Sequence, residues 1–139
     1  MRRLGHRRIH SARNVSGGTL EVENVFKIAT SDGRVRELLA KNGWVSIGKD
    51  KEMEMDSFRN DETGRRLCIE DISDDFPVTF LMGELSQEEF GRIAHNLTPG
   101  IKLMEVDSRW EGKSTTIVVA MTEEQIRKMF GKRVKMRQV

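Results

Sequence analysis

Tyrosine is absent from the 139 residues, and cysteine occurs once. With no second thiol the chain can form neither an internal disulfide nor a cysteine-based metal cluster. Cys68, set between Leu67 and Ile69, reads as a small core residue, the alternative being a thiol activated by a positive environment. No apolar run reaches the roughly 18 residues of a membrane-crossing helix, and the first residues lack the apolar stretch of a secretory signal, so a cytoplasmic location is expected.

Chemical motifs are equally scarce. No glycine-rich phosphate loop, Cys/His metal set or nucleophile elbow occurs. His6 and His10 stand four apart but lack a third ligand nearby, and His95 falls at the margin of a helical stripe, where a structural role is expected. The acidic run Glu70-Asp71-Ile72-Ser73-Asp74-Asp75 lacks the glycine and terminal glutamate of an EF-hand, and reads as a solvated connector or a docking patch for a basic segment. Neither a metal nor a cofactor is expected, and the chain reads as a non-enzymatic protein.

Charge is what the sequence does have, unevenly placed. A net +2 hides five arginines and no acid up to Arg13, and six basic residues and no acid from Arg127 onward. Between them lie 13 basic and 22 acidic residues, a formal −9. Residues 1–18 carry Arg2, Arg3, Arg7, Arg8 and Arg13 among few aliphatics, too little apolar surface to repay the entropy of ordering alone. They read as a flexible basic arm that orders on nucleic acid or an acidic protein surface, the alternatives being a solubilising tail or an arm folded onto the chain's own acidic body.

The fold is expected to be α+β: an antiparallel sheet with its helices on one face, divided as a βαβββ portion over 19–76 and a ferredoxin-like βαββαβ unit over 77–139. Leu20, Val22, Phe26 and Ile28 share a period-two face and predict a strand; Val35, Leu38 and Leu39 predict a short helix capped by Ser31 or Asp32 and ended by Asn42-Gly43. Trp44 to Ile47 returns as a strand. Gly48 to Gly64 is highly polar, and predicts an exposed strand around Met53 and Met55, then a turn at 60–64 and a return strand over 65–72.

The later unit is more legible. Pro77 opens an apolar strand ending at Met82, and Ser86-Gln87-Glu88-Glu89 fits a capping box before the stripe Phe90, Ile93, Ala94, Leu97, which Thr98-Pro99-Gly100 stops. Strands over 101–108 and 115–121 meet near Glu111-Gly112. The second has apolar residues on both faces, which marks a central strand. Thr122-Glu123-Glu124-Gln125 is another capping box, before Ile126, Met129 and Phe130, and alternation from Val134 to Arg137 predicts a charged edge strand.

The step Leu38-Leu39-Ala40-Lys41-Asn42-Gly43-Trp44-Val45 resembles, over about a dozen residues, the corresponding helix-to-strand step of HicA-type mRNA-cleaving toxins. The resemblance implies a compact α/β shape of the kind that binds double-stranded RNA. Where that family carries a catalytic histidine in a Gly-Ser-His-type segment, this chain has Gly48-Lys49-Asp50.

Three functions compete. In the first, Arg2, Arg3, Arg7, Arg8 and Arg13 with Lys132, Arg133, Lys135 and Arg137 contact phosphates, joined by Arg109 and Trp110 at a hairpin end; without stacking aromatics on the central strands, such binding would not select sequence. The second is a protein-binding regulator or adaptor, such as a phage-type inhibitor of a polymerase or nuclease or a small virion connector. It would dock through the acidic body or through Trp44 and Trp110. The third is a Mg²⁺-dependent nuclease using Glu105 and Asp107, which share one strand face.

Overall fold

The computed structural model describes residues 24–52, 54–73, 75–110 and 112–139, the side chain of Trp110 excepted. Strands β1 (Asn24–Ile28), β2 (Trp44–Asp50), β3 (Met55–Asn60), β4 (Arg66–Asp71), β5 (Thr79–Gly83), β6 (Leu103–Trp110), β7 (Lys113–Ala120) and β8 (Met136–Gln138) form one sheet in the order β2-β3-β4-β5-β1-β7-β6-β8. Helices α1 (Asp32–Lys41), α2 (Gln87–Leu97) and α3 (Glu123–Phe130) cover it from two sides.

Side-chain alternation explains the layers. On the front, Phe26, Ile28, Phe58, Leu67, Ile69 and Leu81 pack beneath Val35 and Leu39 of α1 and Phe90, Ile93 and Ala94 of α2. Phe26 and Phe90 stack with ring centroids 4.3 Å apart. On the rear, Val106, Ile117, Val119 and Met121 pack against Ile126, Met129 and Phe130 of α3. A third cluster, also on the rear, joins Met55, Cys68, Phe80 and Met82 across β3, β4 and β5.

Local signals are realised closely. Ser86 with Glu89 and Thr122 with Gln125 both form reciprocal capping boxes. Asn42 caps α1 by donating from Nδ2 to the Leu38 carbonyl at 2.7 Å, although the Ser31 side chain makes no cap bond. The turn at 60–64 is built on Asn60, whose buried Oδ1 accepts from the amides of Glu62 and Thr63 at 2.9 and 3.1 Å. Cys68 is a buried core residue, and β8 is an edge strand.

The α+β class holds, with a mixed sheet rather than an antiparallel one. Over 77–139 the element order is strand, helix, two strands, helix, strand, yet the ferredoxin-like strand order is not found. That order would place β7 beside β5 and β8 on the far side of β5. Here β1 lies between β5 and β7, parallel to β7, and β8 pairs with β6. The helices do not share one face either: α3 lies on the rear because its stripe meets Ile117, Val119 and Met121, the bulkier of the two apolar rows of β7. The polar stretch also differs from expectation, since β2 runs on to Asp50 and both Met55 and Phe58 are buried.

Candidate functional site

Where the C-terminal end of α3 meets β6 and β7, an open groove of about 740 Å³ is lined by Lys27, Ser108, Arg109, Phe130, Lys132 and Arg133, with Asp107 and Ser114 beside them. Lys27 comes from a central strand. Because Phe26 and Ile28 point to the front, Lys27 points to the rear and lies under the end of α3, its Nζ 4.8 Å from the centre of the Phe130 ring. Burial lowers its pKa from the usual lysine value.

The other three cations arrive from two turns. Arg109 stands at the end of the β6–β7 hairpin, where its Nη2 donates to the Gly112 carbonyl at 3.3 Å. Lys132 and Arg133 follow Gly131, whose φ of 107° ends α3 in a conformation that suits glycine. A helix C-terminus attracts cations by about 0.3–1 kcal/mol each, which accounts for Lys132 and Arg133. It does not account for Arg109 or Lys27, which other elements deliver.

Asp107 is the acid of this groove, and it is engaged from outside it. Arg137 on β8 donates to Glu105 at 2.8 Å and to Asp107 at 3.3 Å, while the Thr116 hydroxyl donates to the same Asp107 oxygen at 3.4 Å. These carboxylates, Asp107 first, raise the Arg137 pKa. Among the described residues no carboxylate lies within ion-pair distance of Lys27, Arg109, Lys132 or Arg133. Among the described residues the groove therefore presents four cations without an ion-pair partner.

The sequence-derived residues separate accordingly. Arg109, Lys132 and Arg133 come together in the groove; Lys135 is exposed just before β8; Arg137 is spent on Glu105 and Asp107. Arg2, Arg3, Arg7, Arg8 and Arg13, with His6 and His10, lie outside the described residues, as does the side chain of Trp110. Trp44 is buried in the front core and so is not an exposed docking residue. His95 is exposed on the last turn of α2, and Glu105 and Asp107 share a face with a guanidinium between them. The residue sequence reasoning missed is Lys27. Its signal was a single lysine inside the apolar run Val25-Phe26-Lys27-Ile28.

The opposite end of the sheet carries the other sign. A groove of about 440 Å³ is lined by Asp32, Glu54, Asp56, Glu70 and Asp71, with Arg36 and Lys49 as its cations. Arg36 bridges Asp32, at 3.1 Å, and Asp56. Among the described residues no group of three His, Cys, Asp or Glu side chains is arranged to hold a metal ion. Comparison with known protein families, curated proteins and solved structures returns no match for the chain.

Proposed function

We propose that the protein binds nucleic acid without sequence preference, seating phosphates in the groove of Lys27, Arg109, Lys132 and Arg133, with Lys135 and the five arginines up to Arg13 adding contacts beyond it. One observation carries this reading: four cations from three separate chain segments converge in one groove while the nearby acid is held by Arg137. Arginine forks and lysine points of charge suit phosphate oxygens, and the Ser108 and Ser114 hydroxyls add neutral donors. No described ring lies exposed on a strand to stack on bases, which favours backbone contact over base readout.

Binding to random-sequence duplex DNA and to single-stranded RNA, measured at two salt concentrations, tests it. The wild type is expected to lose affinity steeply with salt, and Lys132→Glu with Arg133→Glu to flatten the logarithmic salt dependence by about 0.9 for each phosphate contact removed from duplex DNA. Salt-insensitive binding, or full binding by the double variant, would overturn the reading. The acidic groove around Asp56 supports a second reading, in which that end of the sheet docks a partner protein with a basic surface. A pull-down that survives nuclease treatment and fails with Asp56→Lys would favour it.

A further inference from the structure

The four cations of the basic groove differ in depth. Arg109, Lys132 and Arg133 are exposed at its rim, whereas Lys27 is half-buried, on a central strand beneath the end of α3. Met129, Phe130 and Val134 are the half-buried apolar lining around it. Ser108 adds a half-buried hydroxyl on the same face of the sheet, because Met104 and Val106, two and four residues before it on β6, belong to the rear core. Asp107 alternates to the front face, away from Lys27, and is engaged there by Arg137. Among the described residues the Lys27 ammonium has no carboxylate partner, and its one charge-dependent contact given by the geometry is with the Phe130 ring, a weak partner.

The geometry points to a nucleic-acid end bearing a phosphate monoester as the ligand of this groove, with the terminal phosphate at Lys27 and the phosphates that follow it over Arg109, Lys132 and Arg133. This deepens the nucleic-acid reading above and rests on it. A terminal phosphate has a single covalent attachment, so it can pass the rim end-on and reach a recessed ammonium. An internal diester is attached on both sides, and the chain running away from it in two directions holds it at the rim.

Charge favours the same choice. A monoester carries about −1.5 to −2 at neutral pH, against about −1 for an internal diester. A phosphate that enters a half-buried site gives up part of its hydration, and the larger charge recovers more from four converging cations. The C-terminal end of α3 opposes any anion with about half a negative charge, less than one of those four cations supplies. Lysine suits the inner position, since its three donors rotate to meet a phosphate that arrives along one line.

The full-length protein is titrated with one random-sequence single strand prepared with hydroxyl ends, with a 5′-phosphate and with a 3′-phosphate, and with a nucleoside monophosphate alone. One phosphorylated strand is expected to bind about tenfold more tightly than the hydroxyl-ended strand, the scale of one charge-assisted hydrogen bond. Lys27→Met should bring those two affinities together, whereas Arg133→Met should weaken both and keep their ratio. Unfolding curves establish that each variant is folded, and the wild-type ratio decides the matter without any variant. Equal wild-type affinity for the three strands overturns the proposal and leaves the nucleic-acid reading in place. A preference that survives in folded Lys27→Met overturns the assignment to Lys27. A nucleoside monophosphate that binds as tightly as the phosphorylated strand keeps the phosphate site and removes the nucleic-acid reading, and failure of every ligand to bind overturns both.

Discussion

The two ends of the sheet treat charge in opposite ways. Around β3, β4 and α2 the described cations Arg36 and Arg65 are matched: Arg36 bridges Asp32 and Asp56, and Arg65 forks onto Glu89 at 2.8 and 2.7 Å while also donating to the Glu84 carbonyl. Beyond β7, of the basic residues that follow α3 only Arg137 has a carboxylate partner among the described residues, and Lys27, Arg109, Lys132 and Arg133 line an open groove. A matched pair spends its charge on holding the fold. An unmatched cluster keeps its charge for another molecule, at some cost in self-repulsion. Substitutions at the matched end should therefore lower stability and spare affinity, and substitutions at the other end should do the opposite.

The largest effect is expected at Gly83. A Cβ built there would stand 2.7 Å from both the Arg66 carbonyl oxygen and the Leu67 Cα, at a φ of 144°. Both obstacles are backbone, so no side-chain rotation relieves them. Gly83→Ala should cost about 3 kcal/mol in denaturant unfolding, with affinity per folded molecule unchanged.

Arg65 comes next. Burial pushes the Glu89 carboxyl up, but the Arg65 fork and the Ser86 amide outweigh that and hold it at about 2. Its folded pKa lies below the ordinary value of 4.5, so this stabilisation is fully present above that pH and fades as pH falls toward 2. Arg65→Met leaves Glu89 without its fork and should cost about 2 kcal/mol at neutral pH. The acid-induced loss between about pH 4.5 and 2 should shrink accordingly. An unchanged acid limb would show that the Ser86 amide, not Arg65, sets the Glu89 pKa.

How far the sequence reveals this contrast depends on the range of each signal. The capping boxes at Ser86 and Thr122, the turn at Asn60 and the central character of β7 were legible because each is written within a few residues. The strand order was not, since the parallel pairing of β1 with β7 joins residues about 90 positions apart and leaves no local mark. Met55 and Phe58 were hidden among charges because their burial depends on neighbouring strands. Of the groove, Lys132 and Arg133 stood out as a run and Arg109 as a hairpin-end residue. The pairing of Arg137 with Glu105 appeared only once β8 was seated on β6 rather than β5. The strand order thus also decides which cations find carboxylate partners.

Lys27 gives the smallest and most discriminating effect, because it belongs to both categories. Burial lowers its pKa, so the unfolded chain holds that proton more tightly than the folded one, and stability should rise as pH climbs toward the ordinary lysine value of 10.5. Lys27→Met keeps the aliphatic stem, removes the buried charge and gives up the contact with the Phe130 ring. Relief of desolvation and loss of that contact oppose each other, and a net gain of about 0.5 kcal/mol at neutral pH is expected. The alkaline rise should weaken, and the salt dependence of duplex binding should flatten by less than one full phosphate contact, since a half-buried ammonium approaches phosphate less closely than Arg133 does. A loss of stability instead would place Lys27 with the matched charges, as an anchor for the end of α3, and reduce the groove to three cations supplied by its two turns.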